Sequence, residues 1–219
     1  MNETKKLVTE LKGIGSDFEK FRKEQEKRFQ DVRDNLIGLI SEGLKESLAD
    51  DTADVSAMEQ AYCDLIDGQW KMGHKEYGDN LQDNIRAILK NLFGEVVSKS
   101  DNKGADIVIV KGKRKMAIDV KSFIDKAVNS RQGLPRLAEL KRDAETGKGF
   151  ENYIVFAHNA CDSEIIDKCL NPDRQWIILL ATCKYFSQPS LPIWKKYEGY
   201  SPLKKLAAAV DGFLKAKAV

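Results

Sequence analysis

The sequence lacks several things that would have assigned it to a broad class at once. No uninterrupted apolar run approaches the roughly 20 residues needed to cross a bilayer, so no membrane span is expected. Hydrophobic residues make up 42% and charged residues 32%, the balance of a soluble globular chain. The first residues, Met1-Asn2-Glu3-Thr4-Lys5-Lys6-Leu7, have neither the apolar stretch nor the small-residue cleavage site of a secretory signal, and a cytoplasmic location is the expectation. Cysteine is scarce. Cys63, Cys161, Cys169 and Cys183 include no C-x-x-C pair, which disfavours zinc and thioredoxin-like sites and makes reduced, mostly buried thiols the default. One cysteine ahead of the segment that carries the chemistry and three after it also leave open an iron–sulfur cluster, although the three lack the close spacing of cluster ligands. Neither His74 nor His158 has a second His or Cys at metal-ligand spacing, so both read as ordinary polar residues.

What is present divides the chain in two. Residues 1–60 carry 10 Lys+Arg against 14 Asp+Glu, and the remainder carries 26 against 20, so the second part is the one suited to a polyanion. In the first part, apolar residues recur at Leu7, Leu11, Ile14, Phe18 and Phe21, and again at Phe29, Val32, Leu36 and Leu39. Steps of three and four residues are those of a helical seam, and the polar Gln25 introduces a stutter. Such a helix either packs on its own domain or pairs with another chain. The charge on its remaining faces favours a homodimer or higher oligomer. The run Ala49-Asp50-Asp51-Thr52-Ala53-Asp54 breaks the pattern, giving a helical segment over 1–55 and a second domain over 56–219.

In that second domain the spacing predicts helices over Ser56–Ile66 and Asp79–Leu92, with Leu81, Ile85, Ile88, Leu89 and Leu92 facing inward and Gly94 as terminator. Short runs rich in β-branched residues follow at Glu95–Ser98, Ala105–Val110, Met116–Val120, Tyr153–Ala157 and Trp176–Ala181. Helices are expected near Pro135–Glu145, Asp162–Leu170 and Leu203–Leu214. Strands interleaved with helices make an α/β domain with a mixed central sheet.

The segment from Gly104 to Ser122 carries the chemistry. A hairpin with a two-residue loop at Gly112-Lys113 pairs Val110 with Lys115, Ile109 with Met116, Ile107 with Ile118 and Asp106 with Asp119. Directly opposed residues share a face with Cβ atoms roughly 5 Å apart, so the two carboxylates converge, and Lys121 projects from the same face. Two close carboxylates repel each other. A divalent cation removes the conflict, and one or two carboxylates with several waters describe a Mg²⁺ site completed by substrate phosphate. Lys121 can then hold an attacking water or stabilise the transition state. The plainer alternative is that Asp106 starts a strand while Asp119 and Lys121 form a surface ion pair. The apolar Ile107, Val108, Ile109, Ala117, Ile118 and Val120 argue for strands covered on both sides, where a charge usually has a task.

With Ala105-Asp106 in one position and Asp119-Val120-Lys121 in the other, after a helix and on a hairpin, the segment resembles the PD-(D/E)xK nuclease superfamily over about residues 75–182. The resemblance implies a restriction-endonuclease-like mixed sheet flanked by helices. It implies that Asp106, Asp119 and the carbonyl of Val120 bind Mg²⁺, with Mn²⁺ able to substitute, and that Lys121 serves the water. Where many members have an acidic residue on the preceding helix, this chain has Gln82, with Asp83, Asp79 and Glu76 nearby; Gln82 and Asp83 are the candidate additional ligands. Alanine stands in place of the motif's proline. The implied activity is Mg²⁺-dependent hydrolysis of DNA phosphodiesters, by a type II restriction endonuclease or by a repair or recombination nuclease. A catalytically inactive binding module, an adaptor organised by the N-terminal helix, and an RNA substrate are the rivals. Lys113 and Arg114 at the hairpin tip, and Arg131, Gln132 and Arg136 beyond it, could contact nucleic-acid phosphates; a solvated turn explains the tip equally well.

Overall fold

The structure, a computed structural model, describes residues 2–67, 74–100, 105–121, 150–157, 177–180 and 201–216. Helix α1 spans Asn2–Ala49, α2 Ser56–Asp67 and α3 His74–Phe93, and α4, near the C-terminus, spans Pro202–Lys215. Five strands, β1 (Val97–Lys99), β2 (Ile107–Lys111), β3 (Arg114–Lys121), β4 (Asn152–Ala157) and β5 (Ile177–Leu180), form one sheet in the order β1-β2-β3-β4-β5. The β1–β2 and β2–β3 pairs are antiparallel and the β3–β4 and β4–β5 pairs parallel, so the sheet is mixed as expected. Among the described residues no helix is long and apolar enough to cross a membrane.

The chain forms two compact units, Met1–Leu36 and Ile37–Val219. The first is the leading part of α1. Its seam residues Ile14, Phe18, Phe21, Phe29 and Val32 are between 57% and 74% exposed. The division falls inside α1, ahead of the compositional break at 49–54, because the helix carries a second face. Ile37, Ile40, Leu44 and the small Ser41 and Ser47 are buried and belong to the core of the second unit. Gly43 permits the close approach of α2 there, since a Cβ at that position would lie 2.7 Å from Met58 Cβ. The run 49–54 is the turn between the helices. Asp50 accepts the Thr52 backbone N–H at 2.9 Å, and Asp54 accepts that of Ser56 at 2.9 Å.

Helix α3 begins at His74, earlier than the expected Asp79, because Gly78 is accommodated within it. Leu81, Ile85, Ile88 and Leu89 are buried as the spacing predicts, while Leu92 is only half-buried. Gly94, at φ 72°, ends the helix, and a single 3₁₀ turn over Gly94–Val96 shortens the strand expected at Glu95–Ser98 to Val97–Lys99. The helices expected at 135–145 and 162–170 lie outside the described residues.

The hairpin holds the predicted register. Lys111 pairs with Arg114, Val110 with Lys115, Ile109 with Met116 and Ile107 with Ile118. Gly112 takes φ 61°, the left-handed value a two-residue hairpin loop needs at its first position. Both faces of β2 and β3 are covered: Ile107, Ile109, Met116 and Ile118 on one face and Val108 and Ala117 on the other are buried.

The hairpin tip is packed onto the C-terminal end of α4. Ser201 caps the start of that helix, Pro202 opens it, and Leu203, Leu206, Ala207, Val210 and Phe213 are buried. At its other end Lys111 Nζ donates to the carbonyls of Leu214 and Ala216, the latter at 2.9 Å. Arg114 lies over the Phe213 ring at 4.7 Å, donates to the Ala216 carbonyl at 2.8 Å and pairs with Glu151. Helix C-termini end in carbonyls without intrahelical partners and carry partial negative charge, which these cations satisfy. Lys111→Met keeps the apolar stem and removes the donor, and should cost about 1 kcal/mol in urea unfolding. A variant as stable as the wild type would show that the contact contributes nothing.

Candidate metal and catalytic site

The site lies where β2 begins and β3 ends. The paired ladder ends at Ile107 and Ile118, so the expected Asp106–Asp119 pair is not part of it; the Asp106 backbone N–H instead donates to the Ile118 carbonyl at 3.1 Å, one residue out of that register. Its carboxylate Oδ2 accepts the backbone N–H of Val120 at 2.7 Å. Asp119 is 3% exposed, and both of its oxygens are engaged. Oδ1 is paired with Lys121 Nζ, and Oδ2 accepts the Tyr153 hydroxyl at 3.0 Å. The three residues singled out in the sequence are therefore together.

Tyr153 is the member of this cluster that sequence reasoning passed over. The parallel β3–β4 ladder aligns Ala117 with Tyr153 and Asp119 with Val155, which puts the tyrosine on the same sheet face as Asp119. In the sequence it looks like any aromatic at the start of a strand. Only the alignment of two strands separated by a long crossover reveals its partner. Tyr153→Phe should cost about 1 kcal/mol of stability. It should also weaken divalent-metal affinity roughly tenfold or more, because hydrogen bonds behind a ligand fix its orientation. Titration calorimetry with Mn²⁺ checks this, and unchanged affinity would remove Tyr153 from the site.

The electrostatics are those of a crowded anion pair. Burial, followed by the hydrogen bond and charge of Asp119, pushes the Asp106 carboxyl up to about 6, against the opposing pull of Lys121 and the Val120 N–H. Such a group keeps its proton below about pH 6, and once ionised at neutrality it places a second negative charge beside Asp119 that a cation would offset.

Asp83 is turned to Arg86, one helical turn along α3, with a 2.8 Å ion pair. Gln82 is half-buried. The polar side chain on the inward face of α3 is Asn84, 2% exposed, which the spacing from Leu81 and Ile88 could have indicated. Lys113 is exposed at the hairpin tip, whereas Arg114 is engaged by Glu151 and by the end of α4. Arg131, Gln132 and Arg136 lie outside the described residues, as do Cys161, Cys169, Cys183 and His158. Cys63 is half-buried and forms no disulfide among the described residues.

No protein family, curated protein or solved structure was found to match this chain.

The chemistry of the carboxylate pair fits a hard divalent cation. Asp106 and Asp119 supply carboxylate oxygens, and the raised affinity of Asp106 for a proton marks a place where positive charge is wanted. Among the described residues no group of three or more His, Cys, Asp or Glu could hold a metal. Two carboxylates leave coordination positions for water and phosphate oxygen, the pattern Mg²⁺ prefers.

Proposed function

We propose that this chain is a Mg²⁺-dependent endonuclease of the PD-(D/E)xK type that hydrolyses DNA phosphodiester bonds. The observation that carries the reading is the convergence of Asp106, Asp119 and Lys121 at one end of a buried hairpin, with the Asp106 carboxyl pushed up to about 6. Asp106 and Asp119, with the Val120 carbonyl between Asp119 and Lys121, would hold the cation. When bound, it supplies Lewis acidity toward water and phosphate oxygen. The Val120 N–H holds one carboxylate and the Tyr153 hydroxyl the other, so both are oriented before any ligand arrives. Lys121, 29% exposed along its side chain, keeps its ammonium at the mouth of the pair, where it can position a water or neutralise charge developing on a phosphate.

Within that class a type II restriction endonuclease is the favoured reading, and a repair or recombination nuclease the alternative. A second reading, a nuclease-like module that binds nucleic acid without cutting it, draws on α3. Its Asp83 is committed to Arg86 and no third acidic residue among those described joins the pair.

The test is incubation of plasmid and phage DNA with the purified full chain in Mg²⁺, in Mn²⁺ and in EDTA. Discrete fragments that require the metal are the expected result. DNA retained in gel shifts by a folded protein that leaves it intact would favour the binding module, and neither binding nor cleavage would refute both.

A further inference from the structure

The exposed seam of α1 has a symmetry of its own. From Gln25 the seam positions step forward by four, three, four and three residues to Phe29, Val32, Leu36 and Leu39. They step backward by the same intervals to Phe21, Phe18, Ile14 and Leu11. An uninterrupted heptad would be symmetric about many points. The stutter at Gln25 leaves one. Within the first compact unit the structure leaves Ile14, Phe18, Phe21, Phe29 and Val32 more than half exposed, three of them phenylalanines in a row of charged neighbours. A helix with this much charge on its other faces does not leave such a stripe in water without a partner.

We propose that a second copy of this chain covers the seam as an antiparallel helix pair whose two-fold axis passes at Gln25. Every apolar position then meets an apolar position. Phe21 of one copy lies level with Phe29 of the other, Phe18 with Val32 and Ile14 with Leu36. The one polar position meets itself, so the two Gln25 amides can each donate to and accept from the other. A polar pair at one buried level fixes register, because any slip buries the amides against apolar side chains.

Charge selects the orientation. Arg22 and Glu26 flank the seam on one side, and Glu24 and Arg28 on the other. In an antiparallel pair each side meets the same side of the partner. Arg22 of one copy then faces Glu26 of the other and Glu24 faces Arg28, attractive pairs that the two-fold axis repeats. In a parallel pair each side meets the opposite one. Asp17 would face Arg22, but Arg28 would face Arg33, and Glu24 would lie level between Arg22 and Glu26 with no net gain. The pairing is independent of the catalytic reading, since it uses no residue of the second unit beyond Leu39.

Sedimentation equilibrium of the full chain tests this. The wild type should be a dimer, and Phe21→Asp, at a position 58% exposed and so outside the core, should be a folded monomer. Arg22→Glu alone and Glu26→Arg alone should each weaken dimerisation about tenfold or more, and the two together should restore it. In the parallel arrangement the double substitution would not rescue Arg22→Glu, because the carboxylate introduced there would still face Asp17. A monomeric wild type, a higher oligomer, a dimer indifferent to Phe21→Asp, or the parallel pattern of charge effects would each overturn the proposal.

Discussion

Asp119→Ala is expected to reduce metal-dependent DNA cleavage by at least about a hundredfold to a thousandfold, the scale on which losing one preorganised electrostatic group at a reacting centre is felt. The size of the effect follows from how many roles one side chain fills. Its carboxylate would be one of two hard donors for the proposed cation, it holds the ammonium of Lys121, and it accepts the hydroxyl of the buried Tyr153. Removing it would therefore weaken the proposed metal site and release the lysine in one step, and leaves the Tyr153 hydroxyl without this acceptor. Asp119→Asn separates chemistry from folding, because the amide has the same shape and its oxygen can still accept from Tyr153. Both variants should be inactive while Asp119→Asn keeps a cooperative thermal transition. Cleavage that survives in a folded Asp119→Asn protein would mean that the hairpin end is not where the phosphodiester is broken.

The parts of this fold that were legible in the sequence are those set by local periodicity. The hairpin register is one: two runs of β-branched residues around Gly112-Lys113 admit few pairings, and a slip of one residue would move side chains between a face packed by Ile107, Ile109, Met116 and Ile118 and one packed by the smaller Val108 and Ala117. With the register came the convergence of Asp106, Asp119 and Lys121. The inward face of α3 was legible for the same reason. What the sequence concealed were interactions between distant segments and a helix with two uses. Arg114 looks like part of a basic loop available to phosphate, yet it and Lys111 donate to carbonyls about a hundred residues away, at the end of α4. Tyr153 acquires its role only through the parallel β3–β4 ladder. In α1 the period marks one apolar stripe, to which Leu36 and Leu39 belong. Ile37, Ile40 and Leu44 form a different stripe, buried in the second unit, and a single period cannot say which of two stripes meets the core.

The second large effect concerns the other carboxylate. Asp106→Asn is expected to inactivate the protein and, without metal at pH 7, to stabilise it. An ordinary aspartate ionises near 3.8, whereas Asp106 in the fold does so at about 6, so between those values the native state binds the proton more tightly than the unfolded chain. Stability from this group is therefore fully present below about pH 4 and declines as pH rises through about 6. Solvent still reaches Asp106, so the decline amounts to about 1–2 kcal/mol at neutral pH. Asparagine carries no charge and can still accept the Val120 N–H, so the variant escapes the penalty. Urea unfolding of the two proteins at pH 4 and pH 7 should show their stabilities diverging at the higher pH. Added Mg²⁺ should then stabilise the wild type by binding the ionised pair, a linkage worth about 2.7 kcal/mol when its concentration is a hundred times the dissociation constant, and should do little for the variant. If the variant is destabilised at pH 7 in EDTA, the two carboxylates do not repel each other as the geometry implies. If Mg²⁺ stabilises both proteins equally, it binds elsewhere. The pattern expected of a metal site is the conjunction: a fold that is strained by its own charges when empty and relieved by the ion its chemistry requires.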